Sequence, residues 1–346
     1  MDTSSASMRR VTEVIRHTFA ADKTQESVAT NRNETHVVAE PSPTQTGNFS
    51  TVDYSNNVGA RRYKLYVPAG ISQAAPLIVM LHGCTQSPDD FATGTRMNSL
   101  ADEHLFLVMY PEQPSSANPS KCWNWFETQN QQTHEGEPAI IAGMVKEVVA
   151  AYAIDPRRVY VAGMSAGAAM AVILGHTYPD LFAAVGAHSG LAYRCASSVP
   201  TALAAMRSGR QGRSNSSSPF TKNSAANMQS PDSVRTIVFC GDQDKTVVPL
   251  NSVRIVEQAK QRFESLEGQG ALKLSKERGQ SRDGLAYTLE VYKNSDNITY
   301  IEYWLVDGVS HMWSGGNPNG SYTEQYGPEA SAEMVRFFLS VPAKGS

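Results

Sequence analysis

The sequence predicts an α/β domain, with a mostly parallel sheet covered by helices on both faces. Short, continuously apolar runs such as "PLIVMLHG", "LFLVMYP", "RVYVAGM" and "VRTIVFCGD" recur along the chain and read as strands buried on both faces. Segments with apolar residues at helical spacing stand between them. That alternation is the pattern of βαβ units.

The chain has 346 residues, enough for one large α/β core. At the start, Met8, Val11, Val14, Ile15 and Phe19 recur at helical spacing, which predicts a short helix. The polar stretch that follows reads as a flexible arm, so residues 1–50 are set apart from a domain over 51–346. "RRYKLYVP" alternates like a strand, and "PLIVMLHG" is a central strand. "PDDFATGTRMNSLADEH" places Phe91, Met97 and Leu100 at helical intervals before the strand "LFLVMYP". A helix over Pro138–Tyr152 follows, with proline in the first turn, where a missing N–H costs nothing. Next come the strand "RVYVAGM", a helix, the strand "FAAVGAHSG", the strand "VRTIVFCGD" and a helix over Asn251–Phe263. Between Cys195 and Val234 the periodicity dissolves, and 196–234 reads as a polar surface insertion. "LAYTLEVY" and "ITYIEYWLV" around "KNSDN" suit an edge hairpin, and "PEASAEMVRFFLS" is a closing helix.

The formal charge of −3 and the lack of a basic run argue against a nucleic-acid partner. No apolar run approaches the roughly 20 residues of a membrane span. Cys84, Cys122, Cys195 and Cys240 show no C-x-x-C spacing, so no metal site is expected. The start also lacks the basic-then-apolar pattern of a secretory leader.

The chemistry centres on "GMSAG", which fits G-x-S-x-G between a predicted strand and a predicted helix. That motif holds a serine on a strained turn, where larger neighbours would clash and the helix N-terminus favours a developing anion. Ser165 is therefore the candidate nucleophile. It needs a base oriented by an acid, in the chain order serine, acid, histidine. His176 and His188 follow Ser165 too directly, whereas His311 stands in the glycine-rich "DGVSHMWSGG" after a strand, where open α/β sheets gather functional groups. "VFCGDQDKTVVP" offers Asp242 and Asp244. Asp244 is taken as the acid, and Asp242 as the residue holding its own turn. The oxyanion donors expected are the backbone N–H of Ala166, after the nucleophile, and that of Cys84, after the early strand. His82 reads as structural. No cofactor is called for.

"LHGCTQ", "FATGTRMNSLADEHLFLVMYPEQ", "CWNWF", "GEPAIIAGMV", "DPRRVYVAGMSAGAAMA", "HSGL" and "SHMWSGG" together resemble the polyhydroxybutyrate (PHB) depolymerase family of esterases, relatives of acetylxylan and feruloyl esterases. The likeness runs from about Arg61 to Leu339. It implies an α/β-hydrolase fold, a Ser165–Asp244–His311 triad, hydrolysis of carboxylic esters, and a Cys84–Cys122 disulfide fastening the oxyanion loop to "CWNWF". It also implies an extracellular or periplasmic setting, in tension with the leaderless start. Hydroxyalkanoate oligomers, amorphous polyester or short acyl esters are the expected substrates. An acetylxylan or feruloyl ester is the alternative, and a peptidase or thioesterase on the same fold a more distant one. Trp123, Trp125 and Trp313 are candidates to line the acyl groove, and Glu137 reads as a first-turn carboxylate. The sequence departs from the family pattern at Ala168, Ala169, Cys240 and "GVSH", and none of these removes a catalytic group.

Overall fold

The structure is a computed structural model describing residues 47–71, 74–209, 234–282 and 284–340. Most of the expected N-terminal helix and arm, and most of the expected polar insertion, lie outside these residues.

One ten-stranded sheet organises the chain, in the order β1-β2-β4-β3-β5-β6-β7-β10-β9-β8. The strands are β1 (Asn48–Ser55), β2 (Ala60–Val67), β3 (Leu77–Leu81), β4 (Leu107–Pro111), β5 (Val159–Met164), β6 (Ala184–His188), β7 (Arg235–Gly241), β8 (Lys273–Gln280), β9 (Ala286–Lys293) and β10 (Thr299–Val306). The central strands β4, β3, β5, β6, β7 and β10 run parallel. Hairpins flank them antiparallel on both sides. β3 to β7 are buried along their whole length, as their unbroken apolar runs require.

Helices cover both faces. On one side pack α3 (Gly136–Ala151), α4 (Ala166–Thr177), α5 (Val199–Ser208) and α6 (Leu250–Glu267). On the other pack α1 (Pro88–Thr95), α2 (Met97–His104) and α7 (Ala330–Leu339). None of the helices among the described residues is long and apolar enough to cross a membrane.

Several expectations change. The single helix expected from Pro88 to His104 is two, because Arg96 turns left-handed at φ 53°. Its guanidinium there donates to Gly315 O at 2.7 Å and pairs with Glu329 at 2.9 Å. The hairpin expected around "KNSDN" forms as β9 and β10, but it is not the edge: β10 pairs with β7, and the edge belongs to β8, a strand the periodicity missed. "KLSKERGQ" is exposed almost throughout, so no buried face imprints a period on it, and its charges discourage pairing with another chain. β1 begins at Asn48, inside the expected arm.

α5 lies inside the expected polar insertion. Ser198 starts it with a capping box closed by Thr201, Pro200 stands in its first turn, and Gly209 ends it at φ 61°. These are ordinary helix signals, masked by the polar residues that follow.

α7 anchors its layer through Phe338, fully buried and stacked on Tyr160 at 5.0 Å. Phe338→Ala is expected to cost about 3–5 kcal/mol of stability, read as a lowered urea midpoint with an unchanged slope.

Candidate active site

Four neighbouring parallel strands deliver the site at their C-terminal ends, in the order β5, β6, β7, β10. Ser165 follows β5, His188 ends β6, Asp244 lies three residues beyond β7, and His311 lies in the loop after β10.

Ser165 has φ 57° and ψ −118°, a conformation unfavourable for a residue with a side chain. The turn survives because its flanks are glycine. A Cβ on Gly167 would stand 2.1 Å from Leu81 O and 2.6 Å from His82 O, and one on Gly163 2.6 Å from Leu81 O. Thus α4 is pressed directly against the end of β3. The Ser165 N–H donates to His188 O at 2.9 Å. Ala166 is the first residue of α4, so its N–H has no acceptor within the helix.

His311 Nδ1 donates to Asp244 Oδ2 at 2.7 Å, both side chains being almost wholly buried. Asp244 Oδ1 accepts from the N–H of Thr246 at 2.9 Å and of Val247 at 2.8 Å. Burial pushes the Asp244 carboxyl pKa up. The charge and hydrogen bond of His311, the Val247 amide and the Ser189 hydroxyl outweigh this and hold it below the usual aspartate value. Asp242 does not hold its own turn as expected. Its Oδ1 accepts from Gly308 N at 2.6 Å, tying the acid loop to the loop that carries His311.

Cys84 and Cys122 form a disulfide, and Cys195 and Cys240 are buried thiols. In the turn after β3, Gly83 N–H donates to Gln86 Oε1 at 2.9 Å and Thr85 N–H to Ser120 O at 2.7 Å. The amides on either side of Cys84 are therefore engaged. His82 accepts from Gln113 N–H at Nε2 (3.1 Å), which places its proton on Nδ1, 2.8 Å from Gly83 O. Burial lowers its pKa to about 4; it is a neutral strut.

A cavity of about 430 Å³, counting its open mouth, lies beside Ser165. The Cys84–Cys122 disulfide, Ala166, Trp125, Phe126 and Leu191 form part of its wall, and Val199, Ala202, Leu203 and Met206 of α5 form the rest. Apart from Ser165 and the indole N–H of Trp125, none of these lining residues carries a polar or charged group on its side chain.

Of the three tryptophans expected in the groove, only Trp125 lines it. Trp123 is fully buried behind the disulfide, and its Nε1 donates to His82 O at 3.2 Å. Trp313 is buried beneath the site, edge-on to Phe91 and bonded through Nε1 to Ser331 Oγ at 3.1 Å. Both indoles sit where an N–H can be satisfied in the core. Glu137 does more than complement a helix end. Although burial pushes its pKa up, it pairs with Gln113, with Arg61 at 3.7 Å, and with the Asn124 N–H and side chain at 2.8 and 2.9 Å. Sequence reasoning missed the α5 wall, Phe126, Leu191 and the His188–Ser189 pair. Only the family-like "HSGL" offered a signal for the last. Among the described residues no cluster of His, Cys, Asp and Glu could hold a metal ion.

Comparison with known proteins matches residues 61–283 to the family described as esterase PHB depolymerase. The chain is 33% identical over 269 residues to poly(3-hydroxyalkanoate) depolymerase C of Paucimonas lemoignei, covering 78% of this chain and 61% of that protein. It is 37% identical over 142 residues to feruloyl esterase B of Neurospora crassa, covering 41% and 47% respectively. It therefore spans less than two thirds of either relative's length. An acetyl xylan esterase structure from Aspergillus awamori superimposes with a TM-score of 0.61 at 20% identity, covering 84% of this chain and 98% of that one. This likeness supports the α/β-hydrolase fold.

Two outcomes follow from the geometry. Gly167→Ala forces the Leu81–His82 backbone away from α4 and lowers the melting temperature, because the clash is with backbone. The pH dependence follows from the depressed Asp244 pKa. Its stabilisation is fully present above the unfolded value near 3.8 and is lost as pH falls through the lower folded value. Asp244→Asn removes this component, so the acid side of the stability-against-pH curve is shallower in the variant.

Proposed function

This chain belongs to the PHB depolymerase family of esterases, and from that premise we propose that it is a serine hydrolase of carboxylic esters with Ser165, His311 and Asp244 as its triad. The observation that carries the reading is the position of Ser165. It stands on a strained turn at the mouth of an apolar cavity, with a buried Asp244–His311 pair at the adjoining strand ends. His311 accepts the Ser165 hydroxyl proton as Oγ attacks the ester carbonyl. Asp244 holds the imidazole with Nδ1 protonated, leaving Nε2 to receive that proton. The tetrahedral oxyanion is stabilised by the Ala166 and Cys84 N–H groups. His311 returns the proton to the departing alcohol, and water then repeats the sequence on the acyl-enzyme.

The cavity supports an aliphatic acyl group. Its disulfide, alkyl and aromatic lining offers only the Trp125 indole N–H, besides Ser165, as a side-chain partner for a carboxylate, a sugar hydroxyl or a phenol, and burying such polar groups without enough partners is costly. A wall built mostly of alkyl groups and a disulfide suits one short hydroxyalkanoate unit or a short fatty acyl chain. A second reading, an aromatic acyl ester of the feruloyl kind, draws on the Trp125 and Phe126 rings, edge-on at 5.6 Å.

Ser165→Ala is expected to lower turnover of a short-chain p-nitrophenyl ester more than about a thousandfold while the fold persists. Turnover near the wild-type rate overturns the reading. Ala202→Trp, which fills the cavity from α5, lowers kcat/KM for hexanoyl esters more than for acetyl esters. A parallel series of hydroxybutyrate oligomers, acetylated xylan and feruloyl esters assigns the acyl class directly.

A further inference from the structure

We propose that His188 and Ser189 are positioning residues, a two-residue clamp that holds the nucleophile, the acid and the base's loop in register. This rests on the triad reading above and adds to it two residues that touch neither substrate nor reacting atoms.

The clamp is built from hydrogen bonds with a single consistent direction. His188 Nε2 accepts the Ser314 N–H at 3.0 Å, so the proton of this neutral imidazole is on Nδ1. Nδ1 lies 3.2 Å from Ser189 Oγ and donates to it. With its oxygen serving as acceptor toward Nδ1, the Ser189 hydroxyl has its own hydrogen available to the neighbouring Asp244 carboxylate, whose charged form it favours. The hydrogen bonds therefore run from Ser314 N–H through His188 to Ser189, whose hydroxyl neighbours Asp244, and Asp244 receives the His311 Nδ1–H from the other side. Ser314 is three residues beyond His311, so both ends of the chain meet the same loop. The backbone of the pair completes the link: His188 O accepts from the nucleophile's own N–H at 2.9 Å.

The surroundings fit a fixed neutral imidazole. His188 is fully buried, stacked between Trp313 at 5.0 Å and Phe239 at 5.8 Å, and burial lowers its pKa to about 3. Ser189 turns left-handed at φ 52°, and its N–H donates to Phe239 O at 2.8 Å. A non-glycine residue held there indicates a conformation imposed by its contacts. The titratable groups facing Asp244 are His311, His188 and the Cys240 thiol, which burial pushes up to about 11, with Asp242 two residues before it. Burial keeps both His188 and Cys240 neutral at pH 7.

Steady-state kinetics on a short-chain p-nitrophenyl ester across pH test the proposal, with folding checked by circular dichroism. Ser189→Ala is expected to lower kcat about tenfold, the scale of a lost hydrogen bond to a charged group, with KM unchanged. Its acid-side loss of kcat/KM begins at higher pH, because Asp244 has lost a donor that favours the carboxylate. Ser189→Thr, which keeps the hydroxyl, restores most of the rate. On an Asp244→Asn background the Ser189→Ala change costs nothing further, as expected for a residue acting through that carboxylate. His188→Phe keeps the ring stack, loses both ring hydrogen bonds, and lowers kcat at least as much as Ser189→Ala. A Ser189→Ala enzyme with wild-type kcat and acid limb, or an additive loss on Asp244→Asn, overturns the clamp and leaves the triad reading standing. Full activity in Ser165→Ala overturns both.

Discussion

Gly163 and Gly167 flank Ser165, and the space their missing side chains leave is occupied by the backbone carbonyls of Leu81 and His82. A hydrogen in place of a methyl at each position lets α4 descend onto the end of β3. The descent has three consequences. It forces Ser165 into its left-handed turn, it sets the first amide of α4 beside the turn that holds Cys84, and it brings the serine to the mouth of the α5 cavity. The electrostatic and binding features of the site all presuppose this contact between backbones.

The turn after β3 is itself held still, as the proposed oxyanion role of its Cys84 amide requires, since such a donor acts only if it does not have to reorganise. It is fastened from several directions at once. The disulfide joins Cys84 to Cys122, Trp123 reaches the His82 carbonyl, and Gln86 holds the Gly83 amide. Glu137 secures the segment behind them through Gln113 and Asn124. The polar side chains among them, Gln86, Gln113 and Glu137, are buried and each has a partner, as a rigid polar network requires.

Much of this was legible in the residues. Buried parallel strands announce themselves as unbroken apolar runs, because both faces are covered and neither needs polar side chains. The serine turn is equally visible, because its glycines are required locally. The chain order of serine, acid and histidine comes from the α/β-hydrolase arrangement, since the same chemistry occurs in other orders on other folds. Elements that obey no burial period escaped. β8 has water around most of its length, and α5 is a ten-residue helix followed directly by polar sequence. The tryptophans were misjudged for a related reason: an aromatic side chain suits a groove wall and a core equally, and only its neighbours decide. Trp125 meets the cavity, while Trp123 and Trp313 turn inward to satisfy their N–H groups.

By itself the sequence determined the local requirements: where strands run, where the backbone must turn left-handed, which side chains have the chemistry of nucleophile, base and acid. These depend on residues a few positions apart. The tertiary structure decided what depends on residues far apart in the chain. It decided that β10 lies beside β7, so that His311 reaches Asp244 across a separation of 67 residues. It also decided that α5 walls the cavity with alkyl groups, and that His188 faces Ser314 and Ser189 instead of substrate. Such contacts are set by strand order and helix packing, and neither leaves a mark in the spacing of residues along the chain.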